Sequence, residues 1–404
     1  MIRLMRTKLT ILAALLVFSP YLFSQKDSAP SGPAPMALAV IKIIDEHYLR
    51  AQANPLWNLA KEKILAGDYH NPAEAFQGIQ TQLAILEDSE LNLLNSVEMA
   101  ATQREALGEK IGIGLPDFAI DRNIDSGEAR VVTPVVGSPA MQAGIEPRDV
   151  IASINGKGTN DMTHEQIMHA LRAGPAHLVI HRGDQRMQVT LQPSAEKLRA
   201  VEFFVRPARK EKIGYIRIAQ FTPDVAAAVK NAISNLEQSG VAAYVLDLRN
   251  NPGGFLNAAR EVAGIFATGT LGYKRSPDNK REPVDATGKP LTDKPLAILI
   301  NGGTASAAEF VASGLQGLHR AILVGTKTYG RGRAQIFFPL GDDYGLQVPS
   351  VELLTLTGKG FKDTGIAPGL DVLQSLLPEK DLGSVRDRQF VRAETELEKA
   401  KPQQ

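Results

Sequence analysis

From residue 213 onward the chain alternates apolar runs with amphipathic ones, joined by glycine-containing turns. Gly214-Tyr215-Ile216-Arg217-Ile218 predicts a strand, and residues 224–239 predict a helix. Ala243-Tyr244-Val245-Leu246-Asp247-Leu248-Arg249 has no polar alternation until its end, so it reads as a buried parallel strand. Asn250-Asn251-Pro252-Gly253-Gly254 then turns into a helix over 256–266. The plan repeats: an apolar run at 295–300, a glycine turn at Gly302-Gly303, an amphipathic stretch at 310–318, and a further strand at 321–325. Strand, turn, helix, strand in this order predicts an α/β core over residues 200–375.

Upstream the period changes twice. Between 36 and 104, Leu38, Val40, Ile41, Ile44 and Tyr48 recur at helical spacing, and Pro55 and the stretch 69–72 divide the region into several helices. This predicts a small helical module with Trp57 in its core. Between 110 and 195 the pattern is one of short strands and glycine turns. Residues 131–136 and 149–154 predict strands, 163–171 a capped helix, and 178–191 a hairpin about Gly183. Short hinges are expected at 105–110 and 196–199. Beyond 376 charged residues dominate and large apolar ones are few, which predicts a solvated tail over 376–404.

The N-terminus changes the picture of where the protein works. Arg3, Arg6 and Lys8 precede an apolar stretch from 9 to 23, followed by a proline-rich linker at 25–35. A basic start and a short apolar run predict an export signal or an uncleaved anchor over 1–24. The body of the protein is then expected in a periplasm or a lumen. Among 404 residues there is no cysteine, which excludes disulfides, thiolate metal sites and a cysteine nucleophile. The formal charge of +1 gives no reason to expect nucleic acid or a polybasic membrane surface. Membrane contact is expected only through the N-terminal segment. His164, His169, His177 and His181 crowd the middle of the chain, but without a shared helix face or carboxylate partners they predict no metal site.

The candidate chemistry sits at Ser306, in Asn301-Gly302-Gly303-Thr304-Ala305-Ser306-Ala307-Ala308-Glu309. A serine between a strand, a glycine turn and a helix lies beside unpaired amides that suit a developing oxyanion. Ser306-Ala307-Ala308-Glu309 is equally a capping box, which accounts for both residues without chemistry. Asp247 and Arg249, at a buried strand end, read as structural.

The segment from Gly137-Ser138-Pro139-Ala140 through Ala143-Gly144-Ile145 to Asp149-Val150-Ile151 and Ile154-Asn155-Gly156 resembles the PDZ domain of exported proteases. Taken with Gly214-Tyr215-Ile216, Asp247-Leu248-Arg249-Asn250-Asn251-Pro252-Gly253-Gly254, the Ser306 segment, Arg320-Ala321-Ile322-Leu323-Val324-Gly325 and Gly365-Ile366-Ala367-Pro368, the chain resembles the carboxyl-terminal processing peptidases, or tail-specific proteases. Leu86-Glu87-Asp88 with Leu93-Leu94 looks closest to their cyanobacterial and plastid branch. The resemblance implies a multidomain α/β protein: a crotonase-like or Clp-protease-like core, an inserted PDZ domain that binds substrate C-termini, and a helical N-terminal module. It implies no cofactor, and partners that are C-terminal segments of exported or membrane proteins. Ser306 would be the nucleophile, with an oxyanion hole from the amides of Ala307 and of Gly253 or Gly254. Ile111-Gly112-Ile113-Gly114-Leu115 is a candidate nest for a peptide carboxylate, or a plain turn into a strand. Arg172 resembles an arginine that couples the PDZ domain to the core, or is a helix C-cap charge.

One position departs from the family pattern. The family places a lysine base in Gly-Lys-Gly; here the triplet is Gly330-Arg331-Gly332, with Gln335 where a glutamine would orient that lysine. Lysine serves as a base when burial lowers its pKa to about 7–8. Arginine stays near 12.5–13.8, so at pH 7 its neutral fraction is on the order of one in a million. Hydrolysis is therefore expected to be lost or strongly impaired, leaving a peptide-binding scaffold or regulator. The alternative is an active enzyme with a relocated base. Lys327, roughly 13 Å along an extended chain from Arg331, and His319, about 20 Å along a helix from Ser306, are poor replacements.

Overall fold

The computed structural model describes residues 34–400 apart from 89, 108–117, 123–127, 135–137, 163, 173, 193–198, 208–210, 376 and 378. The expected signal or anchor, the linker, and Ile111, Gly112, Ile113, Gly114 and Leu115 lie outside the described residues. No described helix is long and apolar enough to cross a membrane.

The N-terminal module holds helices α1 (Ala34–His47), α2 (Pro55–Leu65) and α3 (Pro72–Ala84), strand β1 (Asn92–Asn95) and helix α4 (Ser96–Ala106). Asn54 and Asn71 cap α2 and α3, each with proline in the first turn. Trp57 is buried among these helices and its indole N–H donates to Asp45 at 2.8 Å. The region is not helical throughout, because β1 is a strand. Four residues are too few to show a period-2 pattern, and the partner that makes them a strand lies some 250 residues away.

The PDZ segment comprises β2 (Phe118–Arg122), β3 (Ala129–Pro134), α5 (Pro139–Gln142), β4 (Val150–Ile154), β5 (Lys157–Gly158), α6 (His164–Arg172), β6 (Ala176–Arg182) and β7 (Gln185–Leu191). Its sheet runs β2-β3-β4-β6-β7, all antiparallel, with β5 beside β4. Val131, Ile145, Ile151, Ile167, Leu178 and Ile180 form its own core.

The α/β core follows with β8 (Val201–Pro207), β9 (Lys212–Ile218), α7 (Val225–Gln238), β10 (Ala243–Asp247), α8 (Leu256–Gly264), β11 (Thr270–Arg275), β12 (Arg281–Asp285) and β13 (Leu296–Ile300). It continues through α9 (Ala307–Gly317), β14 (Ala321–Gly325), β15 (Arg333–Pro339), β16 (Tyr344–Leu354), β17 (Leu370–Asp371) and α10 (Arg388–Lys399). The main sheet has the order β17-β14-β13-β10-β9-β8. It is parallel except for β8, which pairs antiparallel with β9. Its strands are apolar on both faces because both are covered. Ile216, Leu246, Ile298 and Ile300 pack under α7, α8 and α9, while Tyr215, Val245, Ala297 and Leu299 pack under α10.

Helix α10 overturns the expected solvated tail. Phe390, Ala393 and Leu397 form an i, i+3, i+7 stripe that is buried on the sheet. The charged residues between them hide the stripe in a composition count. Asp387 caps the helix, accepting from the Phe390 amide at 3.1 Å, and its other oxygen lies 2.7 Å from Arg249 Nη2. Arg249 also lies 2.6 Å from Asp247 Oδ2 and donates to Gln389 at 3.0 Å. Burial pushes the Asp247 carboxyl up, but Arg249 outweighs it and holds the group below its ordinary value. Asp247 and Arg249 are therefore structural, as expected.

A second sheet, β1-β16-β11-β12 with β15 also on β16, joins the N-terminal module to the core. Leu93 pairs with Leu346, and Phe338, Leu346 and Val348 complete the hydrophobic core of α1–α3. The module and the second sheet thus share one hydrophobic cluster, apart from those on the two faces of the main sheet.

Candidate active site

Ser306 occupies the sharp turn between β13 and α9, with φ 55° and ψ −121°. A serine acting only as a helix cap has extended backbone angles. A left-handed serine is strained by about 1–3 kcal/mol and persists where its surroundings impose it. The surroundings here are tight. A Cβ added at Gly253 would stand 2.8 Å from the Ser306 Cβ and 3.0 Å from the Ala307 amide nitrogen. Only glycine lets the two loops approach this closely.

The oxyanion amides are narrowed by the same geometry. Gly253 donates its N–H to Asn251 Oδ1 at 2.8 Å, so that amide is already used, which corrects its place among the candidates. Asn251 is buried and is itself anchored to the Ile218 carbonyl at 2.9 Å. Ala307, first residue of α9, has no intrahelical acceptor for its N–H. The Ala307 and Gly254 amides stay as the candidates for receiving a developing oxyanion.

Glu309 ties the serine to the loop that carries Arg331. Its Oε2 accepts the Ser306 N–H at 2.9 Å and the Arg331 N–H at 2.8 Å. Its Oε1 accepts the Gly330 N–H at 2.8 Å and the Thr328 hydroxyl. The carboxylate half of the expected capping box is therefore present, but it also reaches across to the loop 328–331. Glu309 is fully buried, and burial raises its pKa to about 7 against the pull of these hydrogen bonds.

The Arg331 side chain is tied to the N-terminal module. Its Nε lies 3.3 Å from Glu90 Oε1. Arg333, two residues on, places Nε 2.8 Å from Glu90 Oε2 and donates from Nη1 to Asp88 Oδ2 at 2.9 Å. The Tyr48 hydroxyl donates to the same Asp88 oxygen at 3.0 Å. The turn before β1 delivers both carboxylates to the start of β15. Burial lowers the Arg333 pKa, but Glu90 and Asp88 outweigh it and hold the guanidinium above its usual range. Burial and Asp88 push the Tyr48 hydroxyl well up.

Gln335 lies on β15, and its side-chain oxygen accepts from Gln347 Nε2 at 2.9 Å. Among the described residues no hydrogen bond joins it to Arg331, so the orienting contact expected of Gln335 is not made. No lysine or histidine is hydrogen-bonded to the Ser306 hydroxyl among the described residues; Lys327 and His319 are exposed on their loops. Arg172 ends α6, and its side chain lies outside the described residues.

A contact between the PDZ segment and the core comes instead from Arg148, in the turn before β4. Its Nη2 donates to the carbonyls of Thr328 and Tyr329 at 3.3 and 3.2 Å, and the guanidinium stands over the Tyr329 ring at 5.7 Å. The neighbouring Pro147 and Thr133 close on the serine loop: a Cβ at Gly303 would lie 2.9 Å from Pro147 Cγ and 2.6 Å from Thr133 Oγ1. Sequence reasoning missed Arg148, Glu90, Asp88 and Arg333. Asp88 stood in the Leu86-Glu87-Asp88 motif, but nothing in the local pattern marked its partner or the other three.

A parallel sheet with a strained serine at a strand-to-helix turn, two candidate oxyanion amides and an attached PDZ segment defines a serine-peptidase fold. The chain belongs to the carboxyl-terminal-processing proteases of peptidase family S41. The Peptidase family S41 model matches residues 212–372, and a PDZ domain model matches 130–182. The carboxyl-terminal-processing protease of Synechocystis sp. is 32% identical over 364 residues, covering 86% of this chain and 83% of that protein. The one of Picosynechococcus sp. is 31% identical over 387 residues, covering 94% and 92%. The solved structure of a photosystem II D1 C-terminal processing protease superposes with a TM-score of 0.76 at 27% identity, over 90% of this chain and 98% of that one.

Proposed function

We propose that this family member captures the C-terminal segments of exported or membrane proteins through its PDZ domain, and that hydrolysis at Ser306 is lost or strongly impaired. Ser306 is the nucleophile position and Arg331 the base position. Export to a periplasm or thylakoid lumen, by way of the N-terminal segment, belongs to the same reading. The observation that carries it is the arginine held beside Glu90 where a neutral amine is needed. A serine hydroxyl stays a weak nucleophile until its proton is taken. An arginine paired with a carboxylate offers no lone pair for that proton at neutral pH.

A tail enters a PDZ groove as an added strand with its carboxylate in a backbone nest. Immobilised protein should therefore retain an unfolded protein with an apolar C-terminus intact, and should release the same protein once its terminal carboxylate is amidated. Retention that ignores the terminus contradicts the binding role. Cleavage of the captured protein, abolished by Ser306→Ala, contradicts the impaired hydrolysis.

A further inference from the structure

We propose that the outer edge of β8 pairs with the same edge of a second copy of this chain, joining two main sheets across a two-fold axis. β8 ends the main sheet on one side and β17 on the other. β17 offers only two residues, whereas β8 has seven, Val201–Pro207, and pairs with β9 without a bulge. The Ala219 amide donates to the Ala200 carbonyl at 2.9 Å, and the antiparallel ladder alternates from there. Glu202, Phe204 and Arg206 therefore bond to β9, while Val201, Phe203 and Val205 turn their main-chain N–H and C=O groups outward. Pro207 falls in the outward set, where its missing N–H breaks no bond of the ladder. Among the described residues no main-chain hydrogen bond is made to that set. An apolar edge of this length, with neither bulge nor lysine, is open to a further strand.

The strand is complementary to itself. A two-fold axis through an edge strand sets the two copies antiparallel. Centred on Phe204, the middle residue, all seven residues overlap. Phe203 then stands opposite Val205 of the second copy, Val201 opposite Pro207, and Glu202 opposite Arg206. Outward groups meet outward groups, so Val201, Phe203 and Val205 of each copy find acceptors. Centring on Glu202 or Arg206 would set like charges against each other. Both residues have contacts in their own chain, Arg206 Nη2 with the Leu382 carbonyl at 2.6 Å, so the charges select the register and the main chain holds it. On the α7 face an open groove of about 470 Å³ borders the strand, lined by Phe203, Val205 and Leu236, and Phe203 is 37% exposed. The Val205 side chain of the second copy lies on this face opposite Phe203 and enters the groove. On the other face Phe204 stacks on Tyr215 with ring centroids 4.7 Å apart, and the Arg206 guanidinium covers Phe204 at 3.8 Å. The strand is thus ordered before it pairs, which lowers the cost of association.

Sedimentation equilibrium of the full chain over a wide range of concentration should show monomer and dimer in exchange. Phe203→Pro removes an outward donor from each copy, and should raise the dissociation constant at least about tenfold above that of Phe203→Ala, which loses the ring but keeps the N–H. Disulfides read the register, because the chain has no cysteine of its own. Positions 202 and 206 are about 13 Å apart along one strand, too far to bridge, but face each other across the axis with about 4.5 Å between Cα atoms. A chain carrying both Glu202→Cys and Arg206→Cys should oxidise to a covalent dimer, and neither substitution alone should do so. A monomer at every concentration overturns the proposal, including one that gains mass only when an unfolded polypeptide is added. So does a dimer that Phe203→Pro leaves as tight as Phe203→Ala does. A covalent dimer from Glu202→Cys alone overturns the register. If Phe203→Pro unfolds, the cysteine pair decides: no covalent dimer, from protein whose circular dichroism matches wild type, overturns the pairing.

Discussion

Replacing Glu309 by glutamine tests the link between the two loops of the site. The carboxyl has its pKa raised from 4.5 to about 7 by burial. A raised carboxyl pKa means that the folded state holds the proton over a range where the unfolded state has released it. The penalty grows as pH rises from the unfolded value and levels off above the folded one. With these two values, the cost of this group is about 0.8 kcal/mol at pH 5 and about 3.3 kcal/mol at pH 8. Glutamine does not titrate, so the difference in stability between wild type and Glu309→Gln should move by about 2.5 kcal/mol over that interval, in favour of the variant at high pH. An offset is expected at every pH, because the amide nitrogen takes the place of one carboxylate oxygen and cannot accept the two hydrogen bonds made there, either those of Ser306 and Arg331 or those of Thr328 and Gly330. Urea unfolding at half-unit steps from pH 5 to 8, followed through the core transition, measures both. A stability difference that does not change with pH would refute the buried carboxyl with a displaced titration.

Asp387→Ala should cost about 3–5 kcal/mol, because it leaves Arg249 buried with one charged partner fewer and uncaps α10; urea unfolding measures it. A cost under about 1 kcal/mol would mean that α10 is not integral to the core. Arg148 has φ 74°, a conformation that glycine adopts freely, so Arg148→Gly relieves local strain while removing the contacts to Thr328 and Tyr329. Hydrogen exchange at the amides of Tyr329, Gly330 and Arg331 should then quicken by about tenfold while β6 and β7 stay unchanged; unchanged exchange in the loop would show that the PDZ turn does not brace it.

The fold was legible where one period ruled a long enough stretch. Ala243 to Asp247 and Leu296 to Ile300 read as buried strands because both sheet faces are covered, and the glycine turns after them marked the site. Strand β1 was not legible, since Asn92-Leu93-Leu94-Asn95 becomes a strand only against Tyr344 to Gln347. Helix α10 was obscured because the charges around its apolar stripe serve a buried network through Asp387 and Gln389 as well as the solvent. At the site, the strand-to-helix turn that carries Ser306 was legible from its flanking motifs. Glu90 was not, because it meets Arg331 across 241 positions of chain and no local spacing encodes that pairing. Glu309 was read as half of a cap, and local pattern could not show that it also accepts from Thr328, Gly330 and Arg331.

The most direct measurement is the rate at which concentrated wild-type protein fragments an unfolded protein between pH 6 and 10, read by mass spectrometry beside Ser306→Ala. The two should be indistinguishable across the range, because a guanidinium keeps its proton throughout. Fragments made by wild type, absent with Ser306→Ala and increasing with pH, would show that a base does reach this serine.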